Sequence, residues 1–247
     1  MKAIILAAGV GKRLASVAKG RPKCLIEIGG RSLLSRHLDN LASLGILHVV
    51  LVVGYEQQLI REAVDLSQFP GTVTYIVNER FTRGSITSFW EARDEVDDDV
   101  VMMDADVLYH PEILRRLVES PCLNALLVDE TVSQQTEECM VAIENERVTC
   151  LSKKLPATYD LTGEGVGFIK VSKLDGPMLV QAVQGPIEAG QLDLEYEDAL
   201  KRFFDAVIVG YERIGGLPWI EIDFPEDVER AERDVLPAIS LCEKEVV

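Results

Sequence analysis

The sequence predicts an α/β fold on one central mixed, mainly parallel sheet, and three observations carry that expectation. Short, continuous apolar runs alternate with amphipathic stretches over residues 2–104, the pattern of strands and crossover helices. Four strand-like runs then follow in near succession, so the second half of the sheet is mixed. The first and fourth runs both lead into loops dense in charge, where open α/β sheets place their ligands.

Taken in order, residues 2–7 read as a buried parallel strand, followed by a Gly-rich, basic loop over 7–23. Ser32 is an N-cap for a helix with Leu33, Leu34, Leu38, Leu41 and Leu44 on one face, ended near Gly45. A strand over 48–53 completes one βαβ unit. A helix over 56–65, a strand over 72–77, a helix over 85–96 and a strand over 99–103 repeat the alternation. Beyond a helix over 111–119, strands are expected over 123–128, 139–143, 147–151 and 166–171. Helices over 172–183 and 196–203, a strand over 206–209, the segment 219–222 and a helix from Pro225 close the chain. The run Asp97-Asp98-Asp99 reads as a solvated turn. No repeat, linker or low-complexity tract interrupts these elements.

Composition sets bounds on partners. The 247 residues are 47% hydrophobic and 27% charged, as expected of one globular domain spanning 1–247. No apolar run reaches the roughly 18–20 residues of a membrane span, and the first run is too short for a signal-peptide core, so a cytoplasmic protein is expected. Five cysteines, odd in number and without CxxC spacing, speak against a disulfide framework or zinc site and for reduced, mostly buried thiols. A net charge of −16 speaks against nucleic acid and anionic membranes. Residues 1–26 nevertheless hold six of the 25 bases and none of the 41 acids. A cationic island in an acidic chain suits a polyphosphate.

The island contains Leu6-Ala7-Ala8-Gly9-Val10-Gly11-Lys12-Arg13-Leu14 and, after a gap, Arg21-Pro22-Lys23. It is not a Walker loop, since Arg13 stands where the magnesium-binding hydroxyl belongs, nor a dinucleotide fingerprint, since no third glycine is in register. What remains is a glycine loop whose amides can approach an anion closely, with Lys12 and Arg13 to neutralise a triphosphate.

These residues resemble the signature of the sugar-phosphate nucleotidyltransferase superfamily. The closing stretch Trp219-Ile-Glu-Ile-Asp-Phe-Pro-Glu-Asp227 is similar to the branch of choline-phosphate, inositol-phosphate and aminoethylphosphonate cytidylyltransferases. The resemblance spans nearly the whole chain and implies a single-domain, Rossmann-like (GT-A-like) nucleotidyltransferase. Residues 1–110 would be its nucleotide-binding half and 111–247 its acceptor-binding half. It implies that Leu6, Ala7, Ala8, Gly9, Gly11, Lys12 and Arg13 line the nucleotide site, and that Lys23 meets the α-phosphate or the substrate phosphate. Arg83, Gly84 and Ser85 fall where the family reads base and ribose, Gly84 and Ser85 at a helix start that presents its amides or is simply capped by Ser85.

Asp104-Ala-Asp106 ends the fourth strand, and carboxylates at i and i+2 of an extended chain point the same way. The resemblance implies Mg²⁺ on Asp106 and Asp223, with Asp104 behind the ion or beside the ribose and Glu221 held in reserve. Such a reaction requires no nucleophilic side chain or histidine base, because a substrate phosphate attacks the α-phosphorus itself. Lys23, Arg13, Asp106 and Asp223 are then the catalytic set, and His37, His48 and His110 have structural roles. The acceptor is expected near Glu164 and Gly165 and near Glu195, Tyr196, Glu197 and Asp198, where acids and an aromatic ring suit a cationic head, although acids also start helices without any ligand. The expected substrates are an NTP, CTP by resemblance, and a small phosphate or phosphonate. A UTP-, dTTP- or GTP-using sugar-1-phosphate enzyme, a molybdenum-cofactor nucleotidyltransferase and an inactive regulatory subunit are the rival readings. A homo-oligomer is left open.

Overall fold

The computed structural model describes residues 1–132 and 138–245, with side chains described up to 242. β1 (Lys2–Ala7) is buried at every residue but the half-buried Leu6. The following loop folds into two 3₁₀ turns, Lys12–Leu14 and Lys23–Leu25, and the one-turn helix α1 (Ala15–Ala18). A hairpin of two-residue strands, β2 (Glu27–Ile28) and β3 (Arg31–Ser32), turns on Gly29 and Gly30 at φ 58° and 75°, a left-handed pair that glycine adopts at little cost. In α2 (Leu33–Ser43) the Ser32 hydroxyl accepts from Ser35 N at 3.1 Å, so the expected cap is made. β4 (His48–Val53), α3 (Gln57–Ser67), β5 (Thr72–Val77), α4 (Ile86–Glu91) and β6 (Val100–Asp104) complete the first half. The helix expected to reach residue 96 stops at Glu91 and continues as a 3₁₀ turn, consistent with its Ile-Thr-Ser-Phe-Trp start, which is poor in strong helix formers.

The second half contains β7 (Val107–Tyr109), α5 (Pro111–Glu119), β8 (Ala125–Asp129), β9 (Met140–Glu144), β10 (Arg147–Ser152) and β11 (Leu161–Val171). α6 (Gly176–Glu188), α7 (Tyr196–Ala206), β12 (Gly210–Arg213) and β13 (Trp219–Glu221) follow, then α8 (Pro225–Arg230), a π turn over Ala231–Val235 and α9 (Leu236–Glu245). The strand expected over 206–209 is displaced to Gly210, because α7 runs on to Ala206. The helix expected from Ser172 starts at Gly176, since Ser172 instead hydrogen-bonds Asp175 and Asn124 in the preceding turn.

The main sheet runs β10-β9-β11-β6-β1-β4-β5, with β8 paired to β11 and β12 paired to β8. All its strands point one way except β10 and β11, so the sheet is mixed and mainly parallel. Each face is covered by helices: α2, α3 and α5 pack over Ile5, Leu51 and Met103, while α4, α6 and α7 pack over Ile4, Val50 and Met102. That alternation along β1, β4 and β6 is the period-two consequence of strands buried on both sides.

Candidate active site

The carboxyl ends of β1 and β6 lie side by side, with Leu6 opposite Asp104. The loop after β1 and the turn after β6 therefore open into one cleft. Tyr55 N donates to Ala8 O at 3.1 Å and fixes the base of the loop. Gly11, at φ 61°, carries the chain over Lys23, whose Cβ lies 3.4 Å from where a Gly11 Cβ would stand. Leu6, Ala7, Ala8, Gly9, Gly11, Lys12 and Arg13 face a cavity of about 380 Å³, closed on its other side by Arg83, Ser85 and Asp104. Gly84 is not on its wall. A side chain there would strike Leu194 O, and Gly84 N donates to Leu192 O at 2.9 Å.

The segment before α7 is tied closely to these residues. Arg83 forms a fork with Asp193 at 2.5 and 2.6 Å, and Ser85 N donates to Glu195 Oε2 at 3.1 Å. Ser85 Oγ makes no bond to its own helix; it accepts from Tyr196 N at 2.8 Å and so caps α7. Glu195 and Asp198 are reciprocal members of a capping box on α7. The acidic helix start singled out in the sequence thus has a structural use, while Glu195 still borders the cleft.

A second cavity of about 1170 Å³ adjoins the first and is bordered by Asp129, Glu138, Glu164, Glu197, Trp219 and Glu221. Gly165 is turned away from it, backing onto Leu151 and donating its N–H to Cys139 O at 2.9 Å. Burial first, then Glu138 and Asp129, pushes the Glu164 carboxyl up to about 7. Burial, with Glu195, Glu221 and Asp198 nearby, pushes Glu197 to about 8, and its Oε2 is enclosed without a hydrogen bond among the described residues.

Where the cavities meet, Lys23 Nζ stands 2.5 Å from Asp106 Oδ2 and 2.6 Å from Asp223 Oδ1. β7 and β13 bring these acids together. They pair antiparallel, Glu221 opposite Val107, and Ile222 N donates to Asp106 O at 3.0 Å. Burial alone would lower the Lys23 pKa, but Asp106, Asp223 and Glu221 outweigh it and hold the ammonium well above its ordinary range. Arg13 lies 3.9 Å from Asp223 and stacks at 5.0 Å on Phe224. Asp227, which the sequence reading passed over, accepts from Asp223 N at 3.0 Å and Phe224 N at 2.8 Å.

The extended run expected to carry Asp104 and Asp106 ends at Asp104, because the chain turns at Ala105 and Asp106, although both acids border both cavities. Asp104 accepts from the buried Tyr196 hydroxyl at 2.9 Å, beside Gly167, at φ 80°, where any Cβ would crowd its carboxylate. Burial, Glu197 and Asp106 raise the Asp104 pKa. Oxygens of Asp106, Glu221 and Asp223 lie within 4.8 Å of one another. Glu221 reaches solvent along part of its side chain, yet the surrounding protein, then Asp106 and Asp223, raise its pKa. Asp106 Oδ1 is buried with no hydrogen bond among the described residues. An all-carboxylate set with one unmatched buried oxygen fits a hard cation such as Mg²⁺.

None of the three histidines lines either cavity. His37 is enclosed between the Tyr109 and Phe168 rings and pushed down to about 4 by burial; His48 Nε2 lies 3.3 Å from Thr74 Oγ1; His110 Nδ1 accepts from Glu112 N at 3.1 Å and caps α5. All five cysteines are free, but only Cys24 is buried; the other four are half-buried, fewer enclosed than expected. The Asp97–Asp99 run is the expected turn, pairing with Lys2 and the amino terminus. Among the described residues no helix is long and apolar enough to cross a membrane.

Residues 3–163 match the family model of the MobA-like NTP transferase domain. A CMP-5′-(3-aminopropyl)phosphonate synthase of Streptomyces rubellomurinus is 35% identical over 127 residues, 51% of this chain and 20% of that protein. A UTP–glucose-1-phosphate uridylyltransferase of Haloferax volcanii is 27% identical over 244 residues, 94% of this chain and 96% of that protein. This chain therefore matches a fifth of the first relative's length and nearly all of the second's. The solved inositol-1-phosphate CTP transferase of T. maritima superposes with a TM-score of 0.77 at 24% identity, over 97% of this chain and 94% of that one, and so shares the fold.

Proposed function

The chain belongs to the MobA-like NTP transferase family, whose members transfer nucleotide groups, and on that premise we propose that it moves CMP from CTP to a small phosphate or phosphonate, releasing pyrophosphate. The carrying observation is the junction of the two cavities at Lys23, Asp106 and Asp223. A nucleotide in the smaller cavity and an acceptor in the larger one would present their phosphates to each other there, with residues 1–110 and 111–247 contributing most of the respective walls.

In this reading an acceptor oxygen attacks the α-phosphorus, a new P–O bond forms, the bond to the bridging β-phosphate oxygen breaks, and pyrophosphate leaves with the electron pair. No proton has to be taken from the acceptor, whose phosphate is already ionised. The Gly9–Gly11 backbone and Lys12 hold the β- and γ-phosphates, and Arg13, braced on Phe224, offsets charge on the leaving group. Lys23 neutralises the α-phosphate. Asp106 and Asp223, with Glu221 beside them, would hold Mg²⁺, which when bound supplies charge neutralisation across both reacting phosphates. Asp104, fixed by Tyr196, borders both cavities and would stand beside the ribose or behind the ion.

The acceptor's far end would meet Glu164, Glu197 and Trp219, acidic groups and an aromatic ring suited to an ammonium, whose charge would favour the ionised form of both glutamates. The aminopropylphosphonate relative supports that choice, as does the ending Trp219-Ile-Glu-Ile-Asp-Phe-Pro. The glucose-1-phosphate relative, matched over almost its whole length, favours a second reading in which a hexose 1-phosphate is the acceptor and UTP the donor. A matrix of CTP, UTP, dTTP and GTP against aminoalkyl phosphates, aminoalkylphosphonates and hexose 1-phosphates, scored by pyrophosphate release, separates the two. The highest rate is expected for CTP with an ammonium-bearing acceptor; a faster UTP or dTTP reaction with a hexose 1-phosphate overturns the substrate assignment.

A further inference from the structure

We propose that the Lys23 ammonium is a displaceable counter-ion, which makes binding of a divalent metal to Asp106 and Asp223 conditional on the nucleotide. The inference rests on the proposed metal site. Lys23 Nζ holds Asp106 Oδ2 at 2.5 Å and Asp223 Oδ1 at 2.6 Å, and its side chain is 16% exposed. A magnesium ion shared by the same two oxygens needs about 2.0–2.1 Å to each, which is the ground Nζ occupies. Two cations cannot stand there together. The ion can reach Asp106 only by taking Oδ2 from Lys23, or by a rotation that brings the buried Oδ1 forward; either breaks the lysine contact. On Asp223 the other oxygen already faces Arg13 at 3.9 Å.

An incoming metal on its own therefore has to part a half-enclosed ammonium from both carboxylate oxygens it now contacts. A nucleotide changes that balance. Lys23 is rooted beneath Gly11 and borders both cavities, so a change of side-chain rotamer carries Nζ from the carboxylates to a phosphate in the smaller one. The lysine then exchanges two carboxylate oxygens for phosphate oxygens, and the carboxylates open to the metal that arrives with the phosphates. Metal and nucleotide bind synergistically, each strengthening the other by the same factor.

The test is Mn²⁺ affinity of the full chain, read from the electron paramagnetic resonance of free Mn²⁺, with and without α,β-methylene-CTP. Without nucleotide, Lys23→Met should bind Mn²⁺ at least tenfold more tightly than wild type. Lys23→Arg, which keeps the charge, and Lys12→Met, which removes one from the same loop, should stay near wild type. The analogue should tighten Mn²⁺ binding in the wild type and much less in Lys23→Met. Lys23→Gln serves as a second neutral variant should thermal melting show Lys23→Met unfolded. Equal nucleotide-free affinities, or an equal gain in Lys12→Met, overturn the counter-ion role and leave the metal site standing. No uptake by any protein, analogue present or absent, overturns the metal site itself.

Discussion

Lys23 is held between Asp106 and Asp223 where the two cavities meet, and the side chains around it fix what each substitution should do. Asp106→Ala or Asp223→Ala should abolish pyrophosphate release, and EDTA should do the same to the unaltered chain, while circular dichroism shows the fold retained; full turnover in both variants would remove the metal assignment. Arg13→Ala and Lys23→Ala should each lower kcat roughly 10²-fold, about 2.7 kcal/mol of lost transition-state stabilisation. A change confined to KM would make them binding groups only. That these residues would meet was legible because their types and spacing form a compact motif of glycines, bases and acids just past strand ends. Ser85 and Glu195 were legible as residues but not as partners, since a hydrogen bond across 110 positions leaves no periodic trace. Glu195 and Asp198 looked like ligand groups from their charge alone, and the helix start they cap accounts for much of that charge.

Element boundaries carry their own consequences, most visibly where β13 gives way to α8. Asp227, in the first turn of α8, accepts from the amides of Asp223 and Phe224, and so fixes both the carboxylate at the junction and the ring under Arg13. Asp227→Ala should cost about 1 kcal/mol of stability as a lost cap and reduce kcat by more than that loss explains, because Asp223 is no longer held. Asp227→Asn, which keeps an accepting oxygen, should recover most of kcat. Loss of melting temperature with unchanged kcat would make Asp227 a cap and nothing more. β4, β5 and α5 fall where the sequence set them, because each is a continuous apolar, a β-branched or a 3.6-periodic run with a polar boundary. β2, β3, β7 and β13, two or three residues long, have too few positions to show any period, yet the β7–β13 pair is what brings Asp106 to Asp223.

Across the whole molecule the charge of −16 is divided unevenly, and the larger cavity concentrates part of its negative side. In the folded chain the Glu164 carboxyl titrates near 7 against an ordinary 4.5, so the folded state binds the proton more tightly than the unfolded one. Its contribution to stability is present below the unfolded pKa and is lost as pH rises through the folded one. Glu164→Gln should therefore gain melting temperature relative to wild type as pH rises from about 4.5 to 7, with the gap constant beyond; a gap independent of pH contradicts the assigned shift. The central claim, attack on the α-phosphorus by a substrate phosphate or phosphonate, is tested most directly by a ³¹P NMR time course of the most active donor and acceptor pair with Mg²⁺. Pyrophosphate should appear in step with an equal amount of two coupled resonances from the new P–O–P link. Release of inorganic phosphate and a nucleoside diphosphate, or of free nucleoside monophosphate without the coupled pair, would contradict it.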